Sequence, residues 1–408
     1  MTDDDALHDM RIMRGFPPPP GRRVRADQAY TSAAVTHWYM QHAREVVGTA
    51  DVTARGEPVV RLPERLVELD DAQVHRADGT MWTLRELLDD ACVDGVLVLR
   101  AGAVVYERYL RGFAHGAPHL CQSVTKAVGS CVAANLVEAG VFAPGDRVSA
   151  IVPELAQSAY GDATVRHLLD MTVGIRYDDE LDRPERDGAR LCRLEGCQPA
   201  LADDEPGSMY DFATTTVKDG EHGVLFHYVS LNTIVLGWVM ERATGRSVPE
   251  LIRTHLWSRL GAEHDAHILL DAAGSAQLEG GLCCSLRDLG RFGLMLVQNG
   301  RLGDTQVVPA AWIDDVRRNG DAEAFAAAAR TWDDGADYSG SSYRSCFWVY
   351  AGAGHTAFSA VGWLGQRVYV NQEADVVVAV FASASQDAYQ EKGADVFRAC
   401  EDLACILA

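Results

Sequence analysis

The chain has 408 residues, 48% hydrophobic and 23% charged, the balance of a soluble globular protein with enough length for a substantial core. Lys and Arg number 37 against 58 Asp and Glu, a formal net charge of −21. A surface that negative repels phosphate backbones and anionic headgroups, so neither nucleic acid nor a membrane is an expected partner. No stretch approaches the roughly 18 consecutive apolar residues of a membrane helix. The N-terminus is acidic, without an apolar run before a cleavage site, and the ten cysteines are scattered. A cytoplasmic location with reduced thiols is the expectation.

Residues 1–60 carry a proline run (Pro17 to Pro20) and little periodicity, and read as an irregular arm laid over the main body. Thr83 and Glu86 have capping-box spacing and predict a helix over residues 84–91. Two β-rich runs, 96–100 and 104–109, join at Ala101-Gly102 as a hairpin. Residues 123–297 read as mostly helical, interrupted by a polar stretch from Tyr177 to Met209. The Ala-rich segment 322–329 predicts a surface helix. Strands return at 367–371 and 375–381, and a last helix closes the chain near Cys405. This order predicts an α+β fold: an antiparallel sheet built from both chain ends (residues 61–122 and 300–408) with a helical region, 123–299, inserted between them.

The most informative tetrapeptide is Ser123-Val124-Thr125-Lys126. Three residues apart on a helix, Ser123 and Lys126 share one face. The residues that follow are apolar on almost every side, which predicts a buried helix that Gly140 stops. A serine in the first turn sits where free N–H groups and the positive dipole end stabilise developing negative charge. A buried lysine one turn later loses its proton more easily and accepts one from the hydroxyl. Only three lysines occur (Lys126, Lys218, Lys392), while nearly every other cation is Arg, which cannot deprotonate. The bland alternative is an N-cap serine with a lysine reaching solvent.

A second group, Phe226-His227-Tyr228-Val229-Ser230-Leu231-Asn232, places a phenol, a hydroxyl and an amide on a loop that enters a helix ending at Gly245. Taken alone, Tyr228 reads as a half-buried structural aromatic. Beside an ammonium, a phenol sheds its proton and serves as a general base.

Ser-x-x-Lys followed about a hundred residues later by Tyr-x-Ser-x-Asn resembles the serine β-lactamase/penicillin-recognising superfamily. Within it, the chain is most similar to the class C-like hydrolases that include the 6-aminohexanoate-dimer (nylon-oligomer) hydrolases. Supporting segments are His167 to Tyr177, Leu236 to Gly245, Gly280 to Leu289 and Gly362-Trp363-Leu364-Gly365-Gln366. The resemblance covers residues 85–405 and implies a β-lactamase/transpeptidase-like fold. It implies Ser123 as acylated nucleophile, Lys126 as its activating partner and Tyr228 as proton shuttle. The backbone N–H groups of Ser123 and Trp363 would form an oxyanion hole. Tyr177, Ser230, Asn232 and Gly362 would bind substrate. The superfamily's Lys/His-Ser/Thr-Gly strand motif has no match here, His355-Thr356-Ala357 being only superficially close, which sets β-lactam carboxylate recognition in question.

Other titratable groups read as structural. His115 and His119, and His264 and His267, are expected as ordinary surface or loop histidines. Cys192 and Cys197 lack a second cysteine pair or a histidine to complete a zinc site. Cys283-Cys284 and Cys400/Cys405 read as buried packing thiols. The acidic run Asp178, Asp179, Glu180, Asp182, Glu185 and Asp187 reads as a solvated cluster, with one member available to a substrate ammonium. No phosphate loop appears, and neither a metal nor a cofactor is expected. The expected function is therefore a serine hydrolase acting on a small-molecule amide or ester, with a homodimer as one option for its assembly. The rivals are a transacylase of the same fold and a non-catalytic binding module.

Overall fold

The computed structural model describes residues 12–55, 58–181, 183–201, 207–330, 339–352 and 355–408. A seven-stranded antiparallel sheet carries the fold, in the order Ser342–Arg344, Phe347–Gly352, His355–Gly362, Gln366–Asn371, Val376–Ala382, Val93–Arg100, Ala103–Tyr109. The two chain ends meet where Val378 faces Val98 in register. The hairpin turn at Ala101-Gly102 forms as expected, both residues having positive φ (49° and 74°). Alternation along the central strands divides the core. Leu97, Leu99, Val377 and Phe381 face the helical region, while Val96, Val98, Val376 and Val380 face the helix Gln386–Leu407. The helix Leu286–Val297 lies close on the first face because Gly290 and Gly293 carry no side chain, and a Cβ there would collide with Leu97 and Val377.

The helix Leu84–Asp90 starts at the capping box of Thr83 and Glu86. The Ser-Lys tetrapeptide opens the helix Val124–Glu138, which is buried from Val124 through Leu136.

Two expectations are corrected. The N-terminal arm is not wholly irregular: Ala33–His42 is helical, capped by Ser32, and buries Thr36, Tyr39 and Met40. The helical region also contains two short strands, Ala266–Leu269 and Leu282–Cys284. With Thr49–Val52 from the arm and His119–Leu120 just before that region they form a second, four-stranded sheet, whose strands are too short to leave a period-2 signature. Ala322–Ala329 forms the expected surface helix, its buried face packing Phe325 and Ala328 into an aromatic cluster with Phe226 and Tyr343.

Burial also revises some side chains. His119 is fully buried and bonded at 3.1 Å to Asp94, and His267 is buried enough to push its imidazole down to about 4. Cys405 is exposed, while Cys283, Cys284 and Cys400 are buried as expected, and all ten cysteines are free thiols. Among the described residues, no helix is long and apolar enough to cross a membrane.

Candidate active site

Gln122 adopts a left-handed conformation (φ 49°), a local strain on the order of 1–3 kcal/mol immediately before the helix that Ser123 opens. The Ser123 side chain makes no capping hydrogen bond, so the N-cap reading fails for it. Its hydroxyl instead meets Lys126, whose Nζ lies 2.8 Å from Ser123 Oγ, 3.2 Å from Ser230 Oγ and 2.7 Å from the main-chain carbonyl of Glu279. Lys126 is 1% exposed, which excludes the alternative of a lysine reaching solvent. Burial pushes its ammonium down to about 8.

The three partners fit both protonation states. An ammonium donates to all three oxygens. A neutral amine donates to two and offers its lone pair to the Ser123 hydroxyl.

Tyr228 stands against this pair, its ring stacked on Trp348 at 5.8 Å and its phenol near enough to the Ser123 hydroxyl for that group to favour the ionised form. Nζ of Lys126 lies 5.1 Å from the ring centroid, so the cation meets the face of the ring. Burial therefore dominates and raises the phenol above its ordinary value. This direction is opposite to the one expected beside an ammonium and favours the protonated phenol.

The strand His355–Gly362 delivers Trp363. Gly362 is extended (φ −124°), so glycine is needed there for space: a Cβ would lie 2.5 Å from the Cys121 carbonyl oxygen and 3.0 Å from Gln122 Cβ. This close approach sets the Trp363 amide beside the Ser123 turn. Among the described residues, neither the Ser123 nor the Trp363 N–H has a hydrogen-bond acceptor, which leaves both for a developing oxyanion.

A cavity of about 950 Å³ opens onto these groups and is lined by Ser123, Tyr177, Tyr228, Ser230, Gly362 and Trp363. Asn232 is not among its lining residues. Its side chain is fully buried, accepting from the Tyr160 hydroxyl at 3.1 Å and donating to Met171 Sδ at 3.3 Å, so it braces the helix Leu231–Thr244 instead of reaching substrate. Of the acidic run, Asp179 and Glu180 line the cavity. Asp178 and Glu180 pair with Arg186, and Asp182 lies outside the described residues.

Several lining residues escaped the sequence reading. Tyr30 and Tyr39 come from the N-terminal arm, Tyr30 accepting from Gln122 at 2.8 Å and meeting the Trp363 ring edge-on at 4.8 Å. Tyr389 comes from the last helix, Glu195 from the middle of the inserted region and Glu279 from near its end. Nothing in their local sequence marks them, except that Glu279 directly precedes the Gly280-Gly281 pair.

Comparison with known proteins places the chain among β-lactamase-like proteins. A curated 6-aminohexanoate-dimer hydrolase from Paenarthrobacter ureafaciens is 32% identical over 360 residues, 87% of each chain. The solved structure of a candidate 6-aminohexanoate-dimer hydrolase from Bacillus anthracis superposes with a TM-score of 0.84 at 26% identity, covering 95% of this chain and 98% of that one. A family VIII carboxylesterase (TM-score 0.55, 16% identity, 77% of this chain and 97% of that one) shares the fold. The family model described as Beta-lactamase matches residues 83–400. The chain therefore belongs to the β-lactamase family, as a serine hydrolase of β-lactamase/transpeptidase-like fold related to 6-aminohexanoate-dimer hydrolase.

Proposed function

We propose that the protein cleaves an amide or ester bond of a small molecule through an acyl-enzyme on Ser123. The observation that carries this reading is the 2.8 Å contact between Ser123 Oγ and a buried Lys126 amine that gives up its proton at about 8. Neutral Lys126 takes the hydroxyl proton as Oγ attacks the carbonyl, with Ser230 steadying the amine. The Ser123 and Trp363 amides hold the oxyanion, each worth about 3 kcal/mol of barrier. Tyr228, still a phenol, protonates the leaving group and takes back the proton that Lys126 accepted from Ser123. Water then resolves the acyl-enzyme.

The cavity wall favours neutral or cationic substrates. Asp179, Glu180, Glu195 and Glu279 line it, and no arginine does so among the described residues. A β-lactam carboxylate would meet no cationic anchor, which forfeits about 1.5–3 kcal/mol. The related curated enzyme is named for 6-aminohexanoate dimer, an amide-linked compound. A panel of nitrophenyl esters, linear aminohexanoate amides and a chromogenic cephalosporin tests the reading. Esters or amides are expected to turn over, with the cephalosporin slower by on the order of 10- to 100-fold. A cephalosporin as best substrate, or acyl transfer to an added alcohol outrunning hydrolysis, would overturn it.

A further inference from the structure

The helix Asp187–Leu194 ends in a Schellman turn. Gly196 (φ 82°) turns the chain, its N–H reaching the Arg193 carbonyl at 3.1 Å while the Cys197 N–H reaches that of Cys192 at 2.9 Å. This pair of bonds folds Cys197 back over Cys192. Its thiol lies 3.3 Å from the Cys192 carbonyl oxygen and 3.7 Å from Glu195 Oε2. The Gln277 amide pins the same turn through the Glu195 carbonyl at 3.0 Å. As a result two thiol sulfurs and one carboxylate oxygen lie within 4.8 Å of one another in the cavity wall.

A second observation points into this cluster. Glu279 is 5% exposed, and its Oε2 is buried with no N–H or O–H donor on it. The group it faces is the carboxyl of Glu195. Lys126 does not relieve the pair directly, because its Nζ takes the main-chain carbonyl of Glu279. Burial raises both carboxyls, and the charge of Glu195 raises Glu279 further, so a cation between them would relieve the buried charge.

We propose that Cys192, Glu195, Cys197 and Glu279 form a site for one thiophilic divalent cation of the zinc class. Two sulfurs at about 2.3 Å and two oxygens at about 2.0 Å would make a tetrahedral set, with Cys192, Glu195 and Cys197 already clustered and Glu279 turning in as the fourth ligand. A disulfide between the two cysteines would leave the carboxyl pair without a role. On binding, both thiols enter as thiolates and release their protons to solvent, as does any protonated carboxyl, so affinity rises with pH. The cation would occupy the wall of the cavity that Ser123 lines and so act as an inhibitor of the hydrolase.

The test is independent of the hydrolase reading because it reads metal. Co²⁺ is titrated into the reduced full-length protein, and the thiolate-to-cobalt charge-transfer absorption is followed. Saturation at one equivalent, displacement by Zn²⁺ and loss in the Cys192→Ser/Cys197→Ser double variant are expected, with Glu279→Gln binding at least about tenfold more weakly. In the wild-type protein, which raises no question of folding, Zn²⁺ should protect Cys192 and Cys197 from alkylation while exposed Cys405 still reacts. No band, a band that survives in the double variant, or equal alkylation with and without Zn²⁺ would overturn the proposal.

Discussion

Replacement of Ser123 by alanine is expected to abolish ester turnover and covalent labelling by a fluorophosphonate, a loss on the order of 10⁶ in kcat. Folding should survive the change. The Ser123 hydroxyl caps no helix N–H, and without it Lys126 keeps Ser230 and the Glu279 carbonyl as partners. Unfolding temperature and intact-mass labelling check the two halves of the statement. Full turnover in a folded Ser123→Ala protein would remove the acyl-enzyme.

Lys126 gives the second large effect. Lys126→Arg retains the charge but cannot release a proton, so kcat/KM should fall by about 10²–10⁴. A guanidinium in a space 1% exposed also crowds its neighbours, so Lys126→Met provides the control. Methionine fills similar volume without a buried charge, and this variant should lose as much activity while unfolding no earlier than wild type. If both variants hydrolyse esters at the wild-type rate, the proton leaves Ser123 by another route.

Some of this site is legible in one dimension and some is not. Ser123 and Lys126 are three residues apart on a helix whose apolar continuation announces burial, so spacing and composition alone place the amine beside the hydroxyl. The Ala101-Gly102 turn and the Thr83–Glu86 cap are equally local. Partners far apart in sequence are a different matter. Tyr30 and Gln122 meet across 92 positions, and the Glu195–Glu279 pair forms only when the helical region closes on itself. Strands of two to four residues, such as His119–Leu120, exist because a distant strand supplies their hydrogen bonds. Asn232 misleads for a related reason: its motif position resembles a binding residue, but Tyr160 and Met171 claim its side chain. The protonation of Tyr228 depends on whether its face or its hydroxyl meets the cation, an orientation no motif encodes.

The rate of Ser123 acylation by a nitrophenyl ester, followed in the first turnover from roughly pH 6 to 10, bears most directly on whether Lys126 is the base. Burial places the amine at about 8, so about 10% of molecules hold it neutral at pH 7. The sign follows from the need for the free amine: the rate should climb almost tenfold per pH unit on the acid side, bend at about 8 and then level. A rate that stays flat across this range, or falls as the pH rises, would show that Lys126 does not take the proton.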